Sequence, residues 1–227
     1  MMIYKMLFFI YKMIKTPSNV LFLGVSGSGK TNSFNHVFKS ICTNFTNGVC
    51  FSSTADLTDD YKFMPENKIY TRYDERIVTL LMEEQHEHIS LAKKRGKKCT
   101  REVFIILDDC LGVIDFHHSI FNELFSKSRH LNISVFVLIQ HANSISPVMR
   151  LNTRYTFVTK IKDNNVKALF QLVNDFENEK DLKAFLKEYC VNYQTILFDD
   201  YDVYIDQSQK IKIFKFPGEL PNYKLIF

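Results

Sequence analysis

NVLFLGVSGSGKT, residues 19–31, joins a short apolar run to a glycine-rich turn that ends in Lys30 and Thr31. Within it, Gly24-Val25-Ser26-Gly27-Ser28-Gly29-Lys30-Thr31 fills every fixed position of the pattern G-x-x-x-x-G-K-[ST]. The spacing has a chemical reason. Glycines let successive backbone N–H groups turn inward around phosphate oxygens without side chains in the way. The helix that follows adds its amino-terminal donors and positive dipole end. A lysine at position 30 can reach the β- and γ-phosphates, and the Thr31 hydroxyl can ligate Mg²⁺. Phe34, Val37, Phe38 and Ile41 then recur at helical spacing. The loop therefore sits between a buried strand and an amphipathic helix, the context the pattern needs, and residues 24–31 imply a site for ATP with Mg²⁺.

The second informative stretch is Val103-Phe104-Ile105-Ile106-Leu107-Asp108-Asp109, an apolar strand that ends in two carboxylates. Adjacent acids beyond a buried strand are costly unless they meet a cation or polarise water. Asp108 is expected to complete the magnesium site begun by Thr31, and Asp109 to act as general base toward the attacking water. A third strand, Ile133 to Ile139, ends in the single amide Gln140. If it neighbours the phosphate-loop strand, Gln140 reaches the crevice at the carboxyl edge of the sheet. There it can sense the γ-phosphate or orient the water.

Further strands are expected over Val49–Ser53 and Tyr155–Thr159, with one helix around Ile120, Phe121, Leu124 and Phe125 and another that carries Ile77, Leu80, Leu81 and His88 and runs into the basic stretch at 93–98. Strands that are apolar without alternation are buried on both faces, as parallel sheets are, and their alternation with helices gives an α/β sandwich. The last third differs. Leu182, Phe185, Leu186 and Tyr189 mark a helix, and Thr195–Tyr204 and Ile211–Phe216 read as strands around a turn at Asp206-Gln207-Ser208. With no linker visible, residues 1–227 are expected to form one domain, an ATPase core at 17–160 with an appendage at 161–227.

Composition narrows the partners. A net charge of +4 from 29 basic and 25 acidic residues permits nucleic-acid binding without requiring it. Five scattered cysteines without a C-x-x-C pair read as reduced thiols, not as a disulfide or zinc framework. The apolar Met1–Tyr11 is about half the ~20 residues of a membrane span and is interrupted by Lys5. It also lacks the layout of a signal peptide. A soluble, non-secreted protein without stable membrane insertion is expected. The basic run Lys93–Lys98 reads first as a solvated loop and second as a contact for DNA phosphates. The pairs His86/His88 and His117/His118 have no metal-site spacing.

Taken together, GVSGSGKT at 24–31, FIILDDC at 104–110, SRHLNISVFVLIQ at 128–140, SPVMRLNTRY at 146–155 and the weaker FSSTADLTDDY at 51–61 resemble the FtsK/HerA superfamily of ring-forming DNA-pumping ATPases. Within it they are most similar to the genome-packaging ATPases of large eukaryotic DNA viruses, poxviruses and virophages. The resemblance implies an α/β P-loop NTPase of the RecA/FtsK-HerA type. Its largely parallel sheet would be flanked by helices, with a small C-terminal helix and β-hairpin appended. It implies ATP hydrolysis driving double-stranded DNA through a homo-oligomeric ring into a preformed capsid. A capsid or portal-vertex protein would be a partner, and the host cytoplasm (viral factory) or the virion the location. It also implies an arginine finger from the neighbouring subunit, for which Arg129 comes first, Arg150 second and Arg154 third. Asp109 departs from the glutamate that many relatives carry as second acid. Two other readings start from the same phosphate loop, a small-molecule or polynucleotide kinase and a nucleotide-dependent assembly scaffold without turnover. DNA-stimulated hydrolysis separates the three.

Overall fold

The computed structural model describes residues 13–110, 115–173, 175–200 and 210–227. The expectation for Met1–Tyr11 and the turn at 206–208 lie outside these residues. Eight strands form one sheet: β1 (Asn19–Leu23), β2 (Asn47–Ser52), β3 (Ile69–Tyr70), β4 (Val103–Asp108), β5 (Ile133–Ile139), β6 (Thr153–Val158), β7 (Gln194–Asp199) and β8 (Ile211–Lys215). Their order across the sheet is β3-β2-β4-β5-β1-β6-β7-β8. The first six run parallel, and β7 and β8 are antiparallel additions. The expected C-terminal hairpin therefore widens the central sheet instead of standing apart from it.

Among the described residues, helices α1 (Lys30–Ile41), α2 (Glu75–Lys94), α3 (Ser119–Lys127), α4 (Pro147–Asn152), α5 (Val166–Val173) and α6 (Glu179–Tyr189) cover the faces. Alternate residues of β1 divide between the two sides. Val20 and Phe22 join α1 and the aromatic cluster of Phe34, Phe38, Phe104 and Phe136, while Leu21 and Leu23 face the core under the other helices. Phe38 meets Phe104 edge-on at 4.8 Å and Phe136 at 5.4 Å. A truncation such as Phe38→Ala in so dense a cluster costs about 3–5 kcal/mol.

The expected helix through Ile77, Leu80, Leu81 and His88 is α2. Val78, Leu81, Met82 and Gln85 are buried, whereas Leu80 is 63% exposed. The buried amide is the reason: Gln85 Nε2 donates to the carbonyls of Leu131 at 2.9 Å and Arg101 at 3.2 Å. A polar residue that satisfies two buried carbonyls takes a place that apolar periodicity would give to leucine. On α1, by contrast, Phe34, Val37, Phe38 and Ile41 are all fully buried, as their spacing predicts.

Candidate active site

The phosphate loop leaves β1 at the carboxyl edge of the sheet. Gly24 lies so close to β6 that a Cβ there would fall 1.9 Å from Thr159 Oγ1. Its N–H donates to Ile139 O at 3.1 Å, and the Val25 N–H donates to Lys160 O at 2.9 Å, fixing the loop to both neighbouring strands. Gly27 and Gly29 have φ of 71° and 86°, the left-handed region open to glycine without strain. Ser28 turns inward, its hydroxyl bonded to Val25 O and Thr159 Oγ1, each at 2.7 Å. Gly24 and Ser28 thus shape the loop, while Val25, Ser26, Gly27, Gly29, Lys30 and Thr31 line the cavity it encloses, about 850 Å³ in volume. Gly29 is also the N-cap of α1, so the helix points its free amino-terminal donors into that cavity.

Strand order brings the acids to the same place. β5 lies between β1 and β4, so at ~4.8 Å per strand the acid strand stands about 10 Å from the loop strand. Asp108, Asp109 and Gln140 line the cavity with Lys30 and Thr31. Asp108 is 5% exposed. Burial pushes its carboxyl up to about 6, against the opposing pull of a Tyr61 hydrogen bond and the Lys30 charge. Burial also lowers the Lys30 ammonium, which Asp108 and then Asp109 hold back up. The cation and the two carboxylates form one electrostatic unit.

Tyr61 donates its hydroxyl to Asp108 Oδ2 at 2.7 Å, leaving Oδ1 as the free acceptor of that carboxylate. Asp109 has φ of 48°, which turns its side chain back toward Gln140, whose Nε2 donates to Asp109 Oδ1 at 3.1 Å. The donor set suits magnesium: one hydroxyl, one carboxylate oxygen and space for phosphate and water, which is how Mg²⁺ is commonly held. No cluster of three or more His, Cys, Asp or Glu occurs among the described residues, so a cation here would share its shell with a ligand. Motif reading passed over Tyr61, Asp60, Thr54 and Thr58, which approach the cavity or Asp108 from the segment after β2. Their only signal was the weak 51–61 stretch.

On the other side of the loop the cavity is walled by Asn192, Tyr193, Lys215, Phe216 and Gly218. Because β7 runs against β6, its start, and with it Tyr193, reaches the carboxyl edge; β8 ends there with Lys215. The chain then follows α1. Asn32 Nδ2 donates to Pro217 O at 2.6 Å, His36 Nε2 meets Glu219 O at 3.1 Å, and Lys39 Nζ donates to Asn222 O at 3.1 Å.

The arginines lie elsewhere. Arg129 is exposed in the turn before β5, and seven residues of strand at ~3.3 Å each put it roughly 20 Å from Gln140. Arg150 donates to Gln171 Oε1 at 2.6 Å on the α4–α5 side. Arg154 sits on β6, where its carbonyl accepts from the Asp200 N–H. None of the three lines this chain's own cavity. His88 contacts Arg101 and lies 3.9 Å from Glu84, and His118 lies 3.6 Å from Glu75. Lys93–Lys98 is exposed at the opposite edge of the sheet. Cys42, Cys50 and Cys110 are buried free thiols, and Cys99 and Cys190 are half-buried and free. Among the described residues no helix is long and apolar enough to cross a membrane.

Comparison with known proteins extends these observations. The sequence profile of the poxvirus A32 protein family matches residues 5–213. Uncharacterized protein 075L of Invertebrate iridescent virus 6 is 24% identical over 193 residues, covering 81% of this chain and 70% of that protein. The genome packaging NTPase B204 of Sulfolobus turreted icosahedral virus 2, in complex with sulfate, superposes with a TM-score of 0.61 at 16% identity, covering 91% of this chain and 100% of B204. The pCW3 conjugation coupling protein TcpA, in its monomer form with ATPgS, gives 0.60 at 16% identity over 82% of this chain, which spans 58% of TcpA. At such identities the structural likeness establishes the fold, that of a P-loop ATPase.

Proposed function

The chain belongs to the poxvirus A32 protein family, and from that premise we propose that it is an ATP-driven translocase that packages a viral double-stranded genome into a preformed capsid. The observation that carries this reading is the convergence of Lys30, Thr31, Asp108, Asp109 and Gln140 on one cavity at the carboxyl edge of the sheet. B204, a genome packaging NTPase of the same fold, supports it.

The residues divide the work. The amides of Ser26, Gly27, Gly29, Lys30 and Thr31 and the Lys30 ammonium grip the β- and γ-phosphates with charge-assisted hydrogen bonds. Thr31 Oγ1 and Asp108 Oδ1 would hold Mg²⁺, which would neutralise charge developing on the phosphates. Tyr61 fixes the orientation of Asp108. Asp109 takes the proton of the attacking water, and Gln140, bonded to Asp109, holds that carboxylate in place and carries the state of the γ-phosphate into β5. An arginine helps only from a neighbouring copy in a ring. Arg129 is first choice because it is exposed and no partner engages its guanidinium among the described residues, and Arg150, already bonded to Gln171, is second. The protein acts on duplex DNA in the host cytoplasm or the virion, with a capsid or portal-vertex protein as its dock.

ATPase rate measured with and without duplex DNA tests the proposal. Stimulation by duplex DNA that is abolished in Lys30→Ala is the expected result. Labelling of an acceptor instead of phosphate release would make the protein a kinase. Nucleotide binding with neither reaction would make it a scaffold.

A further inference from the structure

The cavity extends past its phosphate end, and the wall beyond Gly29 has had no chemistry assigned to it. Tyr193 is the unusual member of that wall. Its side chain is 72% exposed, yet its Cδ1 stands 3.4 Å from the point a Cβ on Gly29 would occupy. Its backbone is left-handed, with φ of 60°, and Asn192 before it has φ of 52°. Asparagine tolerates this region; a tyrosine enters it at a cost, and two such residues in succession are rarer still. Strained residues of this kind persist where the surroundings over-determine them, and they gather at ligand clamps. Here the Gln194 N–H donates to Val191 O at 2.9 Å, and the pairing of Gln194 with Lys215 begins at once. The strained turn therefore spends conformational energy to hold an aromatic ring out at the cavity mouth, where it gains little burial.

The neighbouring Phe216 is already packed, stacked on His36 with centroids 5.5 Å apart and on Phe214 at 5.7 Å. Tyr193 is thus the exposed ring of this wall, and the contact it offers is stacking, which every nucleobase accepts because each has a π-face.

We infer that Tyr193 is the platform on which the base of the bound nucleotide stacks, and that this clamp holds nucleotides without selecting among bases. The inference rests on the triphosphate reading of the loop, and it assigns the other half of the cavity. The phosphate loop grips the polyphosphate, and Tyr193 makes the difference between a nucleoside triphosphate and bare polyphosphate.

The chain contains no tryptophan, so Tyr193→Trp creates a single fluorescent reporter at the site. Titrating ATP, GTP and inorganic tripolyphosphate into this variant should change its emission with both nucleotides and leave it unmoved by tripolyphosphate. Tyr193→Ala should weaken ATP and GTP binding by roughly tenfold or more, from the loss of one stacking partner, with tripolyphosphate affinity unchanged and Tyr193→Phe close to wild type. Equal weakening of nucleotide and tripolyphosphate in Tyr193→Ala would mean that the ring props the phosphate loop, which overturns the clamp. So would unchanged nucleotide affinity. If the wild-type chain bound tripolyphosphate but gained nothing from a base, the clamp alone would fall. If it bound neither, the triphosphate reading would fall with it.

Discussion

The two flanks of β1 supply residues to one cavity by opposite means. On the parallel flank, β5 and β4 run with β1, so the residues at or just past their ends, Gln140, Asp108 and Asp109, arrive together at the carboxyl edge. On the other flank the chain reverses through α5 and α6, and β7 and β8 bring Tyr193 from before a strand and Lys215 and Phe216 from the end of one. A parallel flank writes its chemistry into short motifs at strand ends, one strand at a time. An antiparallel flank depends on where the chain turns back, which no local pattern records. The parallel side carries the carboxylates and reacting groups; the antiparallel side carries rings, amides and the Lys215 cation. Variants on the first should alter turnover, and variants on the second should alter affinity or stability while leaving the chemical step alone.

Asp109→Asn is the most severe way to sharpen that contrast. Asparagine tolerates the left-handed backbone at this position and keeps the oxygen that accepts from Gln140, so the change removes charge and little else. ATP binding should persist while kcat falls on the order of 10²–10⁴-fold, the usual worth of a general base. Wild-type turnover in a single-turnover assay would remove Asp109 from that role.

Asp108→Asn should separate function from stability. A carboxyl raised on folding binds its proton more tightly in the native chain, so the stability it contributes is present below its unfolded value of 3.8 and is lost as pH rises through about 6. At pH 7 the ligand-free wild type therefore bears the cost of a buried carboxylate, about 3 kcal/mol for that shift at 1.36 kcal/mol per unit. The asparagine variant should melt higher than wild type at pH 7 and no higher near pH 4, and it should lose Mg²⁺-dependent turnover. A calorimetric scan at the two pH values checks it.

Tyr61→Phe leaves the carboxylate charged but unanchored. Loss of a partner that orients a metal ligand typically costs about 10–100-fold in metal affinity, so the Mg²⁺ concentration for half-maximal rate should rise by that order while nucleotide affinity without metal stays put. The smallest effect belongs to the other flank. Thr195 Oγ1 lies 2.7 Å from Ser33 Oγ, joining β7 to α1, and Ser33 also donates to Gly29 O. Thr195→Val should cost about 1 kcal/mol of stability, one buried hydrogen bond, with kcat unchanged. A kcat loss as large as that of Asp109→Asn would erase the division between flanks.

Legibility in the sequence followed the same line. The phosphate loop, the double acid and Gln140 were visible because each closes a mostly apolar run, and β5 spans the expected residues 133–139. The helix α2 was legible, but the buried place of Gln85, which satisfies carbonyls from two other segments, was not, because such pairings are invisible to periodicity. Tyr61 and Tyr193 were illegible for a related reason. Tyr61 bonds to a residue 47 positions away, and Tyr193 packs on a glycine that only the reversal of β7 brings near. Assigning Arg129 a role in a neighbouring site depends on an assembly that a single chain does not contain.

The sheet order also sets a timetable for synthesis. β1 and its loop are translated 116 residues before the strand that first pairs beside them, as the contact between Ser18 and Ser134 shows. The tail that clasps α1 follows later still, with 183 residues separating Lys39 from Asn222. At ribosomal speeds of about 5–20 residues per second, the nascent phosphate loop waits roughly 10–40 seconds for its last cover. The pocket beside α1 can close only after residue 222 has left the ribosome, long after its phosphate loop.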